Sequence, residues 1–141
     1  MKFSAERYGV QCTGVTVSRE QVSWGEERCR GLPVRFILGD YRQLPADALG
    51  PYDRLASMGM FEHVGNKNYR AYFNVAHRLL KDDGLFLLQT IGSTFSDFEI
   101  DPWLDKYIFP NAVLPSIAQI GKAIEGRFVI EDWHNFGSNY D

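Results

Sequence analysis

The chain has little of several things that would otherwise narrow its chemistry. Among 141 residues there are two cysteines, Cys12 and Cys29. That is too few for a disulfide framework and implies free, buried thiols in a reducing cytoplasm. Three histidines, His63, His77 and His134, stand in no metal-ligand spacing with the cysteines. No apolar run approaches the roughly 18 residues of a membrane span. The opening MKFSAERYGV lacks the apolar core of a signal peptide. Positive charge is not in excess: the net charge is -3. A nucleic-acid binder driven by phosphate contacts needs a basic face, so that class is set aside. There is no Gly-x-Ser-x-Gly, no phosphate-binding Gly-Lys-Ser/Thr and no Cys-His pair, which removes the common hydrolase and nucleotidase signatures. Repeats, low-complexity segments and linkers are absent, and the length allows at most one domain.

What is present alternates short apolar runs with helical ones. Val10 to Val17 (VQCTGVTV) reads as a buried strand. Ser18 follows as an N-cap, with Gln21 at capping-box spacing, and a helix runs from Arg19 to Arg30, ended by Gly31. Val34 to Leu38 is a second strand and Asp53 to Met58 a third. Asn68 to Leu80 is amphipathic, with Tyr69, Tyr72, Phe73, Ala76, Leu79 and Leu80 at helical spacing. Lys81 to Gly84 makes a turn, Leu85 to Ile91 a fourth strand, Ser116 caps a helix through Ala123, and Phe128 to Trp133 alternates as a last strand. This order predicts an α/β fold with a mainly parallel sheet. Ligands of such sheets bind beyond the carboxyl ends of the strands.

Those ends carry Thr16, Ser18, Gln21, Asp40, Tyr41, Gly59, Glu62 and Gln89. Gly59 either lets a ligand approach its backbone or simply makes a turn. Asp40 and Tyr41 offer a carboxylate and a ring to a flat base, or Asp40 is a cap. Glu62, after Met60-Phe61, lies against apolar surface, where an unpaired carboxylate is costly. It is either functional or the N-cap partner of the following helix. His63 points away from its neighbour and reads as structural, and His77 as solvated. The aromatic run DPWLDKYIFPNAVLPS, Asp101 to Ser116, is either a satellite core or a wall over a long apolar substrate.

Six runs carry a resemblance: GVTVSREQ, GMFEHVGNKNYRAYF, LLQTIGS, DPWLDKYIFPN, LPS and EDWHNFGSNYD. Together they resemble the cyclopropane-fatty-acyl-phospholipid synthases and the mycolic acid cyclopropane synthases, which are class I S-adenosylmethionine-dependent methyltransferases. The resemblance implies a Rossmann-like class I methyltransferase fold. It also implies methyl transfer to the cis double bond of an acyl chain of a phospholipid, with closure of a cyclopropane ring. Thr16 and Gln21 match positions around the cofactor ribose, Asp40 and Tyr41 the adenine side, and Met58 and Gly59 the methionine side. Glu62 and Tyr140 match residues that hold bicarbonate, with backbone near Ile91. Gln89 stands where the family usually has histidine; its amide donates a hydrogen bond but cannot take up a proton or carry positive charge. Methylation without ring closure, on this or another lipid or small-molecule acceptor, is the alternative product. Tyr107, Phe109 and Phe136 add candidate aromatic faces.

The resemblance further implies an internal fragment, truncated at both ends. The glycine-rich turn, the first strand and a cysteine of the anion site belong upstream of Phe3 to Gly9. Residues 1–141 are then a partial methyltransferase domain with a lipid-binding insertion at about 93–123. The strands at Val10 to Val17 and Asp53 to Met58 would be left with open edges. Such a chain is expected to bind the cofactor weakly, to be inactive alone and to self-associate as a homodimer. Peripheral contact with a bilayer by a cytoplasmic protein completes the expectation.

Overall fold

A computed structural model describes residues 1–44, 49–97, 101–108, 110 and 112–139. The chain divides into two compact units, Met1–Leu49 and Gly50–Asp141.

The first unit begins with α1 (Lys2–Tyr8), stopped by Gly9 in the left-handed region at φ 65°. β1 (Cys12–Thr16) pairs in parallel with β2 (Val34–Leu38), Cys12 opposite Val34 and Thr16 opposite Leu38. Between them runs α2 (Arg19–Arg28). Ser18 caps it as expected, its hydroxyl oxygen accepting from the Gln21 amide at 3.1 Å. The reciprocal half of the capping box is diverted. The Ser18 amide donates to Thr16 Oγ1, and the Thr16 hydroxyl bonds Gln21 Oε1. Gly25 permits the close approach of α2 to the sheet: a Cβ there would lie 2.5 Å from the Phe36 ring. Cys29 is buried and Cys12 half-buried, both as free thiols.

The second unit holds β3 (Tyr52–Met58), α3 (Tyr69–Leu79), β4 (Leu80–Gln89), α4 (Pro102–Tyr107) and α5 (Ile117–Ile124). α3 passes into β4 with no residue between. β4 pairs in parallel with β3, and the register jumps from Tyr52–Leu80 to Arg54–Leu85. Lys81 to Gly84, expected as a turn, therefore loop out of the ladder inside one long strand. Lys81 is held by Asp53 at 2.6 Å as they do so. The core is a set of rings. Phe61, fully buried, stacks on Tyr69 at 4.3 Å and meets Tyr72 at 5.0 Å and Phe73 at 5.3 Å. Phe86 and Phe128 extend the set. Tyr69, Tyr72 and Phe73 are apolar positions of the α3 periodicity, turned inward.

Phe128 to Trp133 is not a strand. Phe128 joins the ring cluster, Val129 is 86% exposed, and no described residue offers a ladder. α5 is capped by Ser116 in a complete capping box with Gln119. Among described residues each of the four strands, β1 and β3 included, has one neighbour only, which leaves one edge of each open. No helix among the described residues is long and apolar enough to cross a membrane.

Candidate active site

Each unit gathers its expected residues at the carboxyl end of its strands. In the first unit Thr16 closes β1, half-buried, with its hydroxyl on Gln21. One strand over, the Gly39 amide donates to the Thr16 carbonyl at 2.9 Å. Asp40 and Tyr41 follow directly, both half-buried. Asp40 caps the short 3-10 turn Tyr41–Gln43 and is gripped by Arg42. The Arg42 amide donates to Oδ1 at 2.9 Å and its Nε donates at 3.0 Å. The guanidinium and backbone bonds of Arg42 hold the Asp40 carboxyl at a pKa of about 2. Arg42 was the residue that sequence reasoning missed here, although it lies two places from Asp40.

In the second unit Met58 lies opposite Gln89 in the ladder, and the Gly59 amide donates to the Gln89 carbonyl at 3.2 Å. Met58 is 67% exposed. Gly59 adopts φ 61°, which a side chain disfavours, and a Cβ there would meet open space. The turn needs glycine and the backbone is also approachable, so the two readings of this residue coexist.

Glu62 sits in the next 3-10 turn, Phe61–His63, and is only 6% exposed. It does not cap α3. Its Oε1 accepts from the Ile91 amide at 2.8 Å, just past the end of β4. Its Oε2 is buried and has no hydrogen-bond partner among the described residues. Its main-chain carbonyl accepts from the Val113 amide at 2.9 Å. A buried carboxylate with one oxygen bonded and one bare is costly unless something else completes it. Its charge, after burial, also raises the pKa of the Tyr69 phenol. His63 is exposed, as is His77, whose ring meets the Phe128 edge at 5.7 Å.

The segments after β4 close on one another. The Ser93 amide donates to the Pro115 carbonyl at 2.9 Å, and Ser93 bridges to Ser116 in parallel. The Ser96 and Ser116 hydroxyls lie 2.8 Å apart. Between these ends, Trp103 (59%) and Tyr107 (61%) are exposed, with ring centroids 5.8 Å apart. Phe136 is exposed against His134. Tyr140 and Phe109 lie outside the described residues. No trio of metal-ligating side chains occurs among the described residues.

The chain has counterparts among known proteins. The profile of the mycolic acid cyclopropane synthetases matches residues 1–141. The chain belongs to that family. It is 53% identical over 139 residues to the cyclopropane-fatty-acyl-phospholipid synthase of Escherichia coli strain K12, covering 99% of this chain and 35% of that protein. It is 37% identical over 120 residues to the sphingolipid C9-methyltransferase 2 of Gibberella zeae, covering 79% of this chain and 23% of that protein. The chain thus spans about a third or less of the curated relatives it matches. Among solved structures it resembles the mycolic acid cyclopropane synthase CmaA1 complexed with SAH and CTAB. The TM-score there is 0.78 at 29% identity, over 92% of this chain and 50% of that one. The fold expected from the strand and helix order, Rossmann-like with parallel strands, is the fold of this family.

Proposed function

We propose that this chain forms the core of an enzyme that transfers a methyl group to the cis double bond of an unsaturated phospholipid acyl chain and closes a cyclopropane ring. Glu62 carries the reading: a buried carboxylate with one oxygen pinned by the Ile91 amide and the other bare. The relatives named above, a cyclopropane-fatty-acyl-phospholipid synthase and a cyclopropane synthase complexed with SAH, support it.

The residues present fit S-adenosylmethionine. In the first unit the Thr16 hydroxyl and Gln21 amide suit a ribose, and the half-buried Tyr41 ring suits the flat adenine beside Asp40. In the second unit the open space at Gly59 admits the methionine portion along Met58. The cofactor supplies an electrophilic sulfonium methyl.

When the alkene takes that methyl, positive charge develops on the acyl chain. Glu62 opposes it with a fixed negative charge in a water-poor setting, where electrostatic attraction is strong. Ring closure then requires a proton to leave the added methyl, its bonding pair forming the second ring bond. In this reading the bare Glu62 oxygen accepts that proton directly. Alternatively it accepts a hydrogen bond from a bicarbonate that the Gln89 amide also holds. Bicarbonate would supply the base in that case.

Gln89 favours a second reading. It is half-buried at the end of β4 and its amide cannot take up a proton. With a weaker base the product is a methylated chain without a ring, and one relative is named a sphingolipid C9-methyltransferase. Incubation of phospholipid with a protein of the relatives' length that carries this chain, and with a labelled methyl donor, tests both. Proton NMR signals of a ring methylene support the first reading. A methyl signal on an uncyclised chain supports the second, and no incorporation defeats both.

The substrate class implies transient contact with a bilayer, at the inner face for a cytoplasmic protein. The open edges of β1 and β3 suit self-association as a homodimer. A clean monomer by light scattering at high concentration counts against that pairing.

A further inference from the structure

Glu62 is moored from three sides, and two of the moorings run to one residue. The carboxylate is held by the Ile91 amide and the main-chain carbonyl by the Val113 amide. Phe61, the residue before it, lies stacked on the Tyr69 ring at 4.3 Å and an interplanar angle of 25°. The Tyr69 hydroxyl in turn donates to the Val113 carbonyl at 3.4 Å. Tyr69 is 3% exposed, so neither contact is exchanged readily with water. Its ring therefore fixes the residue preceding Glu62, and its hydroxyl fixes the residue that grips the Glu62 carbonyl.

We infer that Tyr69 is a positioning residue for Glu62, holding the bare carboxylate oxygen in place through Phe61 and Val113. A buried carboxylate oxygen without a donor is unfavourable, and the side chain would swing to relieve it if its main chain were loose. The geometry shows it unrelieved, held by the Ile91 amide on the other oxygen and by the main chain on either side. Tyr69 is the first residue of α3, the longest helix of its unit among the described residues, so the restraint is anchored in the ring core. Burial and the Glu62 charge raise the phenol pKa, which keeps the hydroxyl protonated as a donor.

The inference rests on the reading of Glu62 as functional, and the test separates the two. Tyr69→Phe keeps the ring and its stack and removes only the hydroxyl. Hydrogen exchange by NMR on this chain reads the moorings without any turnover. Exchange of the Val113 and Ile91 amides is expected to quicken about fivefold, the scale of one lost neutral hydrogen bond. The Phe73 and Ala76 amides of α3 should keep their rates. Tyr69→Leu, which removes ring and hydroxyl together, should enlarge the Ile91 effect. In a protein of the relatives' length, Tyr69→Phe should lower kcat about fivefold, leave KM for the methyl donor unchanged and raise the uncyclised share of product. An Ile91 amide that exchanges at the wild-type rate in Tyr69→Phe overturns the positioning role, even if Val113 responds. If both amides respond while the wild-type enzyme transfers no methyl group, the positioning stands and the catalytic reading of Glu62 falls.

Discussion

Replacing Glu62 with glutamine should separate a working carboxylate from a structural one. The substitution keeps the volume and the acceptor for the Ile91 amide, now at 2.8 Å from a carboxylate oxygen, and removes the charge. Two opposing terms decide its stability. A charge-assisted hydrogen bond contributes about 1.5–3 kcal/mol and a neutral one about 0.5–1.5, so roughly 1 kcal/mol is lost. Against that, the bare buried Oε2 costs about 1–3 kcal/mol as part of a charged group, and a buried amide costs less. The variant should be about as stable as the parent, or up to about 2 kcal/mol more so, a rise of a few degrees in Tm. Turnover should fall by about 10²–10⁴-fold, the scale of a lost general base. Calorimetry on this chain gives the first number and labelled-methyl incorporation by a protein of the relatives' length gives the second. A glutamine variant more than about 1 kcal/mol less stable, yet with full turnover, would show that Glu62 only staples β4 to its turn.

Three further outcomes follow from contacts already described. Asp40 should titrate near 2 by carboxyl NMR, and Arg42→Ala should return it toward its ordinary 3.8. Because the folded value is the lower one, the stabilisation from this carboxylate is complete above 3.8 and is lost as pH falls toward 2. Phe61→Ala opens a cavity at the centre of the ring cluster and should cost about 3–5 kcal/mol in urea unfolding. Ser116→Ala removes the cap of α5 and the Ser96 contact, at about 1 kcal/mol, and threonine at that place should restore most of it.

The local signals in the chain were legible where the contact that satisfies them is also local. Ser18 and Ser116 cap the helices that follow them, and the apolar positions of α3 all face the ring core. β2 has the predicted limits, Val34 to Leu38. What failed depends on residues far along the chain. The alternation of Phe128 to Trp133 is that of a strand, but a strand needs a ladder, and the sequence cannot say whether a neighbour lies beside it. Lys81 to Gly84 has the composition of a turn; the Asp53–Lys81 pair, spanning 28 residues, keeps it within β4 as an excursion. At the site, position was legible but bonding was not. Glu62 was visible as a carboxylate against apolar surface, whereas its Ile91 partner stands 29 residues on and is a backbone amide with no residue signature. Tyr69 was hidden because a periodicity argument assigns it to the core, which is also true.

The Ser93–Pro115 hydrogen bond and the Ser93–Ser116 bridge bring together the two ends of the segment that leads from β4 to α5. Such a segment can be swapped for one of different length or apolar content without re-threading β4 or α5. One further tie lies within the segment, where the Val113 amide donates to the Glu62 carbonyl. A graft that ends before Ala112 leaves the Val113 bond to the Glu62 carbonyl in place; one that runs through Val113 alters it.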